Sequence, residues 1–228
     1  MRVVRFAVFL PLLLAGCVFG GGGGEESRPS ASIRTRGGSP VPVTLPTPRA
    51  TQQCFTDLTR ANVRFSPLPN LDYGSGCTQI GTVQLIDIGV PVTNTKAMQC
   101  GLAQTFTAWV RNGVQPAVRE MLGTELVRVE SFGTYSCRGI IGGGAQTAGR
   151  ISEHATANAI DISAFVLADG RRITIERDWR SADMQVRAFL DVIHRSACRR
   201  FSTVLSPDYN AAHYNHLHLD MGRGPFCR

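Results

Sequence analysis

The chain has 228 residues, a formal net charge of +7 and an apolar share of 43%, which fits one globular domain with extra segments and enough apolar side chains for a packed core. Its basic residues are arginines apart from Lys96; they are scattered, with no basic helix or RNA-binding motif, which argues against a nucleic-acid partner. Beyond the N-terminus no stretch is long and apolar enough to span a bilayer.

Arg2 and Arg5 precede an apolar run from Phe6 to Leu14, interrupted by Pro11 and followed by Leu14-Ala15-Gly16-Cys17. Residues 1–17 therefore read as a processing signal rather than as structure. The tetrapeptide resembles the bacterial lipobox, which implies acylation of Cys17 as the new N-terminus; a plain secretory signal is the alternative. Val18 rather than Asp follows, so the resemblance implies a lipoprotein of the bacterial cell envelope, membrane-attached through its lipid, in the outer membrane and facing the periplasm. Residues 18–50 open with five glycines, Gly20 to Gly24, and continue rich in Ser, Thr, Pro and Arg. Such a segment buries too little to offset its ordering entropy, and reads as a disordered tether reaching about 30 Å root-mean-square. The folded domain is placed at 51–228.

Six cysteines remain after Cys17: Cys54, Cys77, Cys100, Cys137, Cys198 and Cys227. An even number in an exported chain predicts three disulfides, here expected between nearest neighbours, Cys54–Cys77, Cys100–Cys137 and Cys198–Cys227. No C-x-x-C pair occurs, which weakens a thiolate metal site.

In chain order, residues 55–63 look like a short helix and Phe65-Ser66-Pro67-Leu68-Pro69 breaks it. Tyr73 to Cys77 form a turn, and residues 83–92 one or two strands. Residues 97–122 give the best helix, with Leu102, Phe106, Trp109 and Val110 on one face; Pro116 should divide it in two. Residues 127–132 alternate as a strand. The glycine-rich loop 139–149 has no lysine and no phosphate-loop spacing. Residues 159–166 form a strand containing Asp161, Asp169-Gly170 a hairpin turn, and residues 172–175 the return. A second helix spans 181–198 with Val186, Phe189, Leu190 and Ile193 inward, and 217–221 is a last short strand. Mixed helices with a small antiparallel sheet define an α+β fold, disulfide-stapled.

Four of the five histidines fall in two clusters. His154 precedes Asp161 by seven residues, through small side chains that form no apolar stripe. Asp161 lies between Ile160 and Ile162 in a strand that wants burial, where a carboxylate is costly unless a cation neutralises it. His216 and His218 flank Leu217, so in a strand both imidazoles address one side. His154, Asp161 and one of that pair supply three ligands for Zn2+, leaving a fourth place for water; the other histidine is left as base or transition-state donor. Zinc brings the pKa of bound water to roughly 7 and polarises a carbonyl. His194, within the second helix, reads as a helix-end residue.

The stretches Phe65 to Pro69, Trp109-Val110 with Val114 to Ala117, Gly133 to Arg138, SEHATANAIDI at 152–162 and Tyr209 to Asp220 resemble the bacterial extensin-like C-terminal domain family. The histidine motifs are also similar to those of the LAS metallopeptidases, a group that includes D-alanyl-D-alanine carboxypeptidases, lysostaphin-type enzymes and the penicillin-insensitive murein endopeptidase. That likeness implies a LAS-like fold, His154, Asp161 and His218 as metal ligands, His216 as the catalytic histidine, and Arg138, Ser152 and His213 at the substrate. A glutamate base three residues before the last ligand is part of the carboxypeptidase pattern; Asn215 stands there. The resulting expectation is a zinc-dependent hydrolase cleaving peptide bonds in peptidoglycan. A non-catalytic peptidoglycan- or envelope-binding module with a retained metal site is the alternative.

Overall fold

A computed structural model describes residues 45–228; the leader, Cys17 and most of the expected tether lie outside the described residues. The elements are helix α1 (Pro48–Arg60), strands β1 (Arg64–Pro67), β2 (Leu71–Asp72), β3 (Thr78–Gln79), β4 (Thr82–Asp87) and β5 (Met98–Gln99), then helices α2 (Cys100–Trp109) and α3 (Gln115–Leu122). Strand β6 (Leu126–Gly133) follows, then β7 (Ala159–Leu167), β8 (Arg172–Thr174), the short helix α4 (Ile175–Asp178), α5 (Met184–Cys198), β9 (Thr203–Leu205), β10 (Leu217–Asp220) and β11 (Phe226–Cys227). The fold is α+β, as expected. No described helix is long and apolar enough to cross a membrane.

Helix α1 begins earlier than expected. Thr47 caps it by accepting the Ala50 N–H, and Pro48 occupies the first turn, where its missing N–H costs no helical hydrogen bond. The Thr-Pro pair that composition assigned to a tether is therefore a helix start. Two helices result, as expected of Pro116, which lies in the first turn of the second. Helices α2 and α3 run on through a single π turn, Val110–Val114, whose wider loop accommodates a proline that cannot donate to the preceding turn. Gly113 in that turn lies against α5: a Cβ there would be 2.7 Å from Ser196 Oγ.

The main sheet has the order β11-β9-β10-β7-β6, with β8 also on β7. Strand β7 is its centre. It pairs antiparallel with β6 along one edge; the other edge is shared by β10, over Ala159 to Ile162, and β8, over Ala164 to Val166. Alternation along β7 and β10 divides two faces. Ile160, Ile162, Leu217 and Leu219 enter the core and are fully buried. Helices α2, α3 and α5 contribute Phe106, Trp109, Val118, Phe189 and Ile193 to the same core. Trp109 is its largest member, in ring contact with Phe106, Phe165 and Phe201, and its indole N–H donates to the Ile193 carbonyl at 3.1 Å.

All six cysteines pair, but two of the three expected pairings are wrong: the bridges are Cys54–Cys100, Cys77–Cys137 and Cys198–Cys227. Cys54 on α1 meets the start of α2 because those helices pack together. Cys77 meets the segment after β6, beside the contact of the Tyr73 and Tyr135 rings. Sequence proximity governed only the third bridge, which ties α5 to β11.

Candidate metal centre

The site grows out of the β7–β10 register. His218 and Asp161 are direct cross-strand partners, so their side chains leave the sheet on the same face, opposite the isoleucines and leucines that anchor both strands in the core. His218 Nδ1 lies 2.9 Å from Asp161 Oδ1. The third group comes from the turn that feeds β7. Ser152 caps a 3-10 turn, Glu153–Thr156, with its Oγ accepting the His154 N–H. Ala157, at φ 56°, closes the turn. This places His154 Nε2 3.1 Å from Asp161 Oδ2 and 3.2 Å from His218 Nδ1.

The far nitrogen of each imidazole decides what the near one can do. His154 Nδ1 lies 3.2 Å from the Thr134 carbonyl, which can only accept, so Nδ1 carries a proton and Nε2 points inward as a lone pair. His218 meets a carboxylate at each end: Nε2 lies 2.9 Å from Asp220 Oδ2, so its proton can sit there and leave Nδ1 as a lone pair when a cation occupies the centre. With His218 in that form, two nitrogen lone pairs and a carboxylate converge from three sides, all three residues being buried. Three electron-pair donors around one point repel unless a cation lies between them. One extra proton can bridge only one of the three contacts. A tetrahedral ion with bonds of about 2.0–2.1 Å sets its ligand atoms roughly 3.3 Å apart, close to the three separations found.

The electrostatics agree. Burial pushes the His218 imidazole down, but its hydrogen bonds to Asp161 and Asp220 outweigh this and hold it up at about 9. Burial likewise raises Asp161, and the adjacent imidazoles of His154 and His218 overcome it, holding the carboxyl well below its ordinary range. His213 is the opposite case. Burial, then the nearby His216 and His218, push it down to about 4. His216 is lowered by burial and by the surrounding imidazoles against the pull of Asp161.

Each residue expected at the site can be placed. His154, Asp161 and His218 meet. His216 immediately precedes β10 rather than lying within it. Its Nε2 is 3.6 Å from Asp161 Oδ1, its Nδ1 is 2.9 Å from Asn215 Oδ1, and its ring is packed edge-on by the exposed Phe132 at 5.8 Å. His213 ends a 3-10 turn, Ala211–His213, with its ring 5.1 Å from His216 and 5.9 Å from His218. Arg138 lies near enough for its charge to lower both His213 and His216. Its guanidinium donates to the Gly139 carbonyl and has no carboxylate partner among the described residues. Ser152 is buried and engaged as the cap that seats His154.

Asp220 and the Thr134 carbonyl were not singled out from sequence. Asp220 had a signal: it follows His218 by two in a strand, so it shares that face, and its Oδ1 is tied down by the Gly222 N–H at 2.8 Å. A second histidine–cysteine group is of another kind. His194 Nε2 sits 3.7 Å and 3.8 Å from the sulfurs of Cys198 and Cys227, but those sulfurs bond to each other and offer no thiolate.

No curated protein and no solved structure matches the chain. Residues 52–228 match the family described as extensin-like protein C-terminus, which takes in the sheet, every disulfide and all residues of the centre. The chain belongs to the extensin-like protein C-terminus family.

Proposed function

We propose that the protein is a zinc-dependent hydrolase of the bacterial cell envelope that cleaves peptide bonds in peptidoglycan. The observation that carries the reading is the convergence of His154 Nε2, Asp161 and His218 Nδ1, with both far nitrogens held by acceptors. Two imidazoles and a carboxylate suit zinc, and three protein ligands are the number a catalytic site uses, structural zinc taking four. When bound, such an ion polarises a carbonyl and lowers the pKa of water.

The chain's own residues supply the rest. His154, Asp161 and His218 hold the ion, and the second partners Thr134 and Asp220 fix their rings. His213 and His216 stand beside the ligands in neutral form near pH 7, able to accept a proton from the attacking water and return it to the leaving amine. Arg138, with no carboxylate partner among the described residues, is suited to a substrate carboxylate. Support for peptidoglycan is of a different kind: the likeness of the histidine motifs to LAS metallopeptidases, and a leader ending at Cys17 that fits a lipid-anchored envelope protein facing the periplasm.

Asn215, standing where the carboxypeptidase pattern has a glutamate, favours a second reading: a peptidoglycan-binding lipoprotein domain that keeps the metal. Incubating the protein with purified peptidoglycan, with and without chelator, and weighing the released fragments by mass spectrometry separates the two. Chelator-sensitive fragments support the hydrolase; co-sedimentation without fragments supports the binder. Unchanged zinc content in purified His218→Ala would refute the ligand set for both.

A further inference from the structure

We infer that Asn210 is a positioning residue that fixes the tautomer of His213 and couples it to the seat of the glycine-rich segment 139–149. Asn210 caps the turn Ala211–His213. Its amide is held in one orientation, because each end meets a backbone group with a single possible role. Oδ1 accepts the Ala212 N–H at 3.0 Å, and Nδ2 donates to the Gly142 carbonyl at 3.0 Å. His213 Nδ1 lies 2.7 Å from that same Oδ1. An oxygen so identified can only accept, so Nδ1 carries the proton and Nε2 is left as a lone pair. No protein hydrogen bond engages Nε2 among the described residues, and the ring lies 5.1 Å from His216 and 5.9 Å from His218. His213 therefore presents an acceptor to the centre.

His216 provides the internal contrast. Its Nδ1 also meets an asparagine oxygen, Asn215 Oδ1 at 2.9 Å, but among the described residues no backbone group pins that amide. Turning Asn215 over exchanges acceptor for donor, so either His216 tautomer can form. Of the two histidines beside the ligands, His213 has a fixed polarity and His216 does not.

The link to segment 139–149 is equally local. Gly139 pairs with Ile151, and the Ile140 N–H donates to the Arg150 carbonyl at 3.0 Å, closing the base of the segment. Further along it, Gly142 packs on the histidine turn so closely that a Cβ there would lie 2.7 Å from the Ala212 Cβ, with φ at +79°. Only glycine fits this approach without strain. If the segment lifts, the Gly142 carbonyl leaves and the Asn210 amide keeps only its Ala212 bond. The seat of the segment and the polarity of His213 thus share one side chain.

The tautomer follows from the hydrogen bonds alone. The role of His213 as proton acceptor in hydrolysis rests on the function proposed above, and the experiment keeps the two apart. The full chain is labelled with 15N-histidine, and long-range nitrogen–proton correlations report which ring nitrogen of His213 bears the proton, the resonance being assigned by its loss in His213→Gln. Wild type is expected as the Nδ1–H form, Asn210→Leu as the Nε2–H form or a mixture. Asn210→Asp keeps an acceptor for both Ala212 and His213 but cannot donate to Gly142, so it retains the Nδ1–H form while amide exchange across 139–149 accelerates. With peptidoglycan as substrate, kcat is expected to fall ~100-fold in Asn210→Leu with KM little changed, and to be largely restored in Asn210→Asp. An Nε2–H signal in wild type overturns the inference, as does an unchanged Nδ1–H signal in Asn210→Leu or unaltered exchange in Asn210→Asp. Absence of hydrolysis from wild type would remove the function proposed above and leave the tautomer and exchange results standing. A collapse of Asn210→Leu would be decided by the wild-type and Asn210→Asp spectra, since Asp preserves the cap.

Discussion

If zinc binds the centre as proposed, lowering the pH should strip it by a calculable amount. Without an ion, the centre is neutralised by a proton on His218, whose imidazole is held up at about 9 by Asp161 and Asp220. Metal binding at Nδ1 must displace that proton. Below about pH 9 each metal bound therefore releases one proton, and the apparent affinity rises tenfold per pH unit. His213, already neutral above about 4, adds nothing in this window. Between pH 6.5 and 8.5 the His218 proton alone should strengthen the affinity for zinc ~100-fold, or ~2.7 kcal/mol, and ionisation of the bound water adds to this. Chelator competition at a series of fixed pH values measures this, and calorimetry in two buffers of different ionisation enthalpy counts the proton. The metal-free protein should show the opposite trend. A group whose pKa is raised on folding contributes stability that is complete below its unfolded value, near 6.5, and lost as pH rises through about 9. The metal-free domain should accordingly melt a few degrees lower at pH 9.5 than at pH 6.5. Metal affinity independent of pH, with no proton released, would refute the reasoning, since it would mean that His218 is not charged between its two carboxylates.

Asp220→Asn replaces the carboxylate behind His218 with a weaker acceptor and should lower zinc affinity 10–100-fold, without abolishing one-to-one binding by elemental analysis. Arg138→Ala should weaken binding of peptides with a free terminal carboxylate, and have little effect on the same peptides amidated, in a titration with the metal-loaded protein. Trp109→Ala removes a fully buried indole and should destabilise the domain by about 3–5 kcal/mol in denaturant unfolding, while metal content per folded molecule stays the same. Non-reducing peptide maps should yield fragments joined through Cys54–Cys100 and Cys77–Cys137, and none joined through Cys54–Cys77.

What could be read from sequence and what could not follows from the range of the interactions. Asp161 was legible because strands repeat every two residues and its flanking isoleucines announce a buried face; the same period offered His216 and His218 alike, and only the likeness to the LAS motifs singled out His218. The α+β class was legible on the same grounds. The disulfides were not, because Cys54 and Cys100 are brought together by α1 packing on α2, a fact no spacing encodes. The start of α1 was misread for a different reason. Composition called 48–50 a tether, while the local chemistry of Thr47-Pro48 was that of a helix cap. Pro116 was legible as the divider of α2 and α3, but the π turn that joins them, Val110–Val114, has no sequence signal. Asn210 could not be recognised from sequence at all: its defining partner, Gly142, is 68 positions away.

The four clustered imidazoles are chemically identical in the sequence and acquire different behaviour from what each far nitrogen meets. Asp161 in front of His218 and Asp220 behind it make it more basic than His213 and His216, hence both the stronger competitor for a proton and the stronger donor to a cation once that proton is gone. A backbone carbonyl behind His154 selects its tautomer without adding a formal charge, so the centre gains a second inward nitrogen and no further anion to balance. Amide oxygens behind His213 and His216 likewise bring no charge, and with burial against them both rings stay neutral near pH 7. The proton of the ion-free centre therefore sits on His218. When an ion is bound, His218 is occupied, and an incoming proton is left with only the amide-backed pair. Occupation of one ligand site thereby determines which histidines are left to take up a proton.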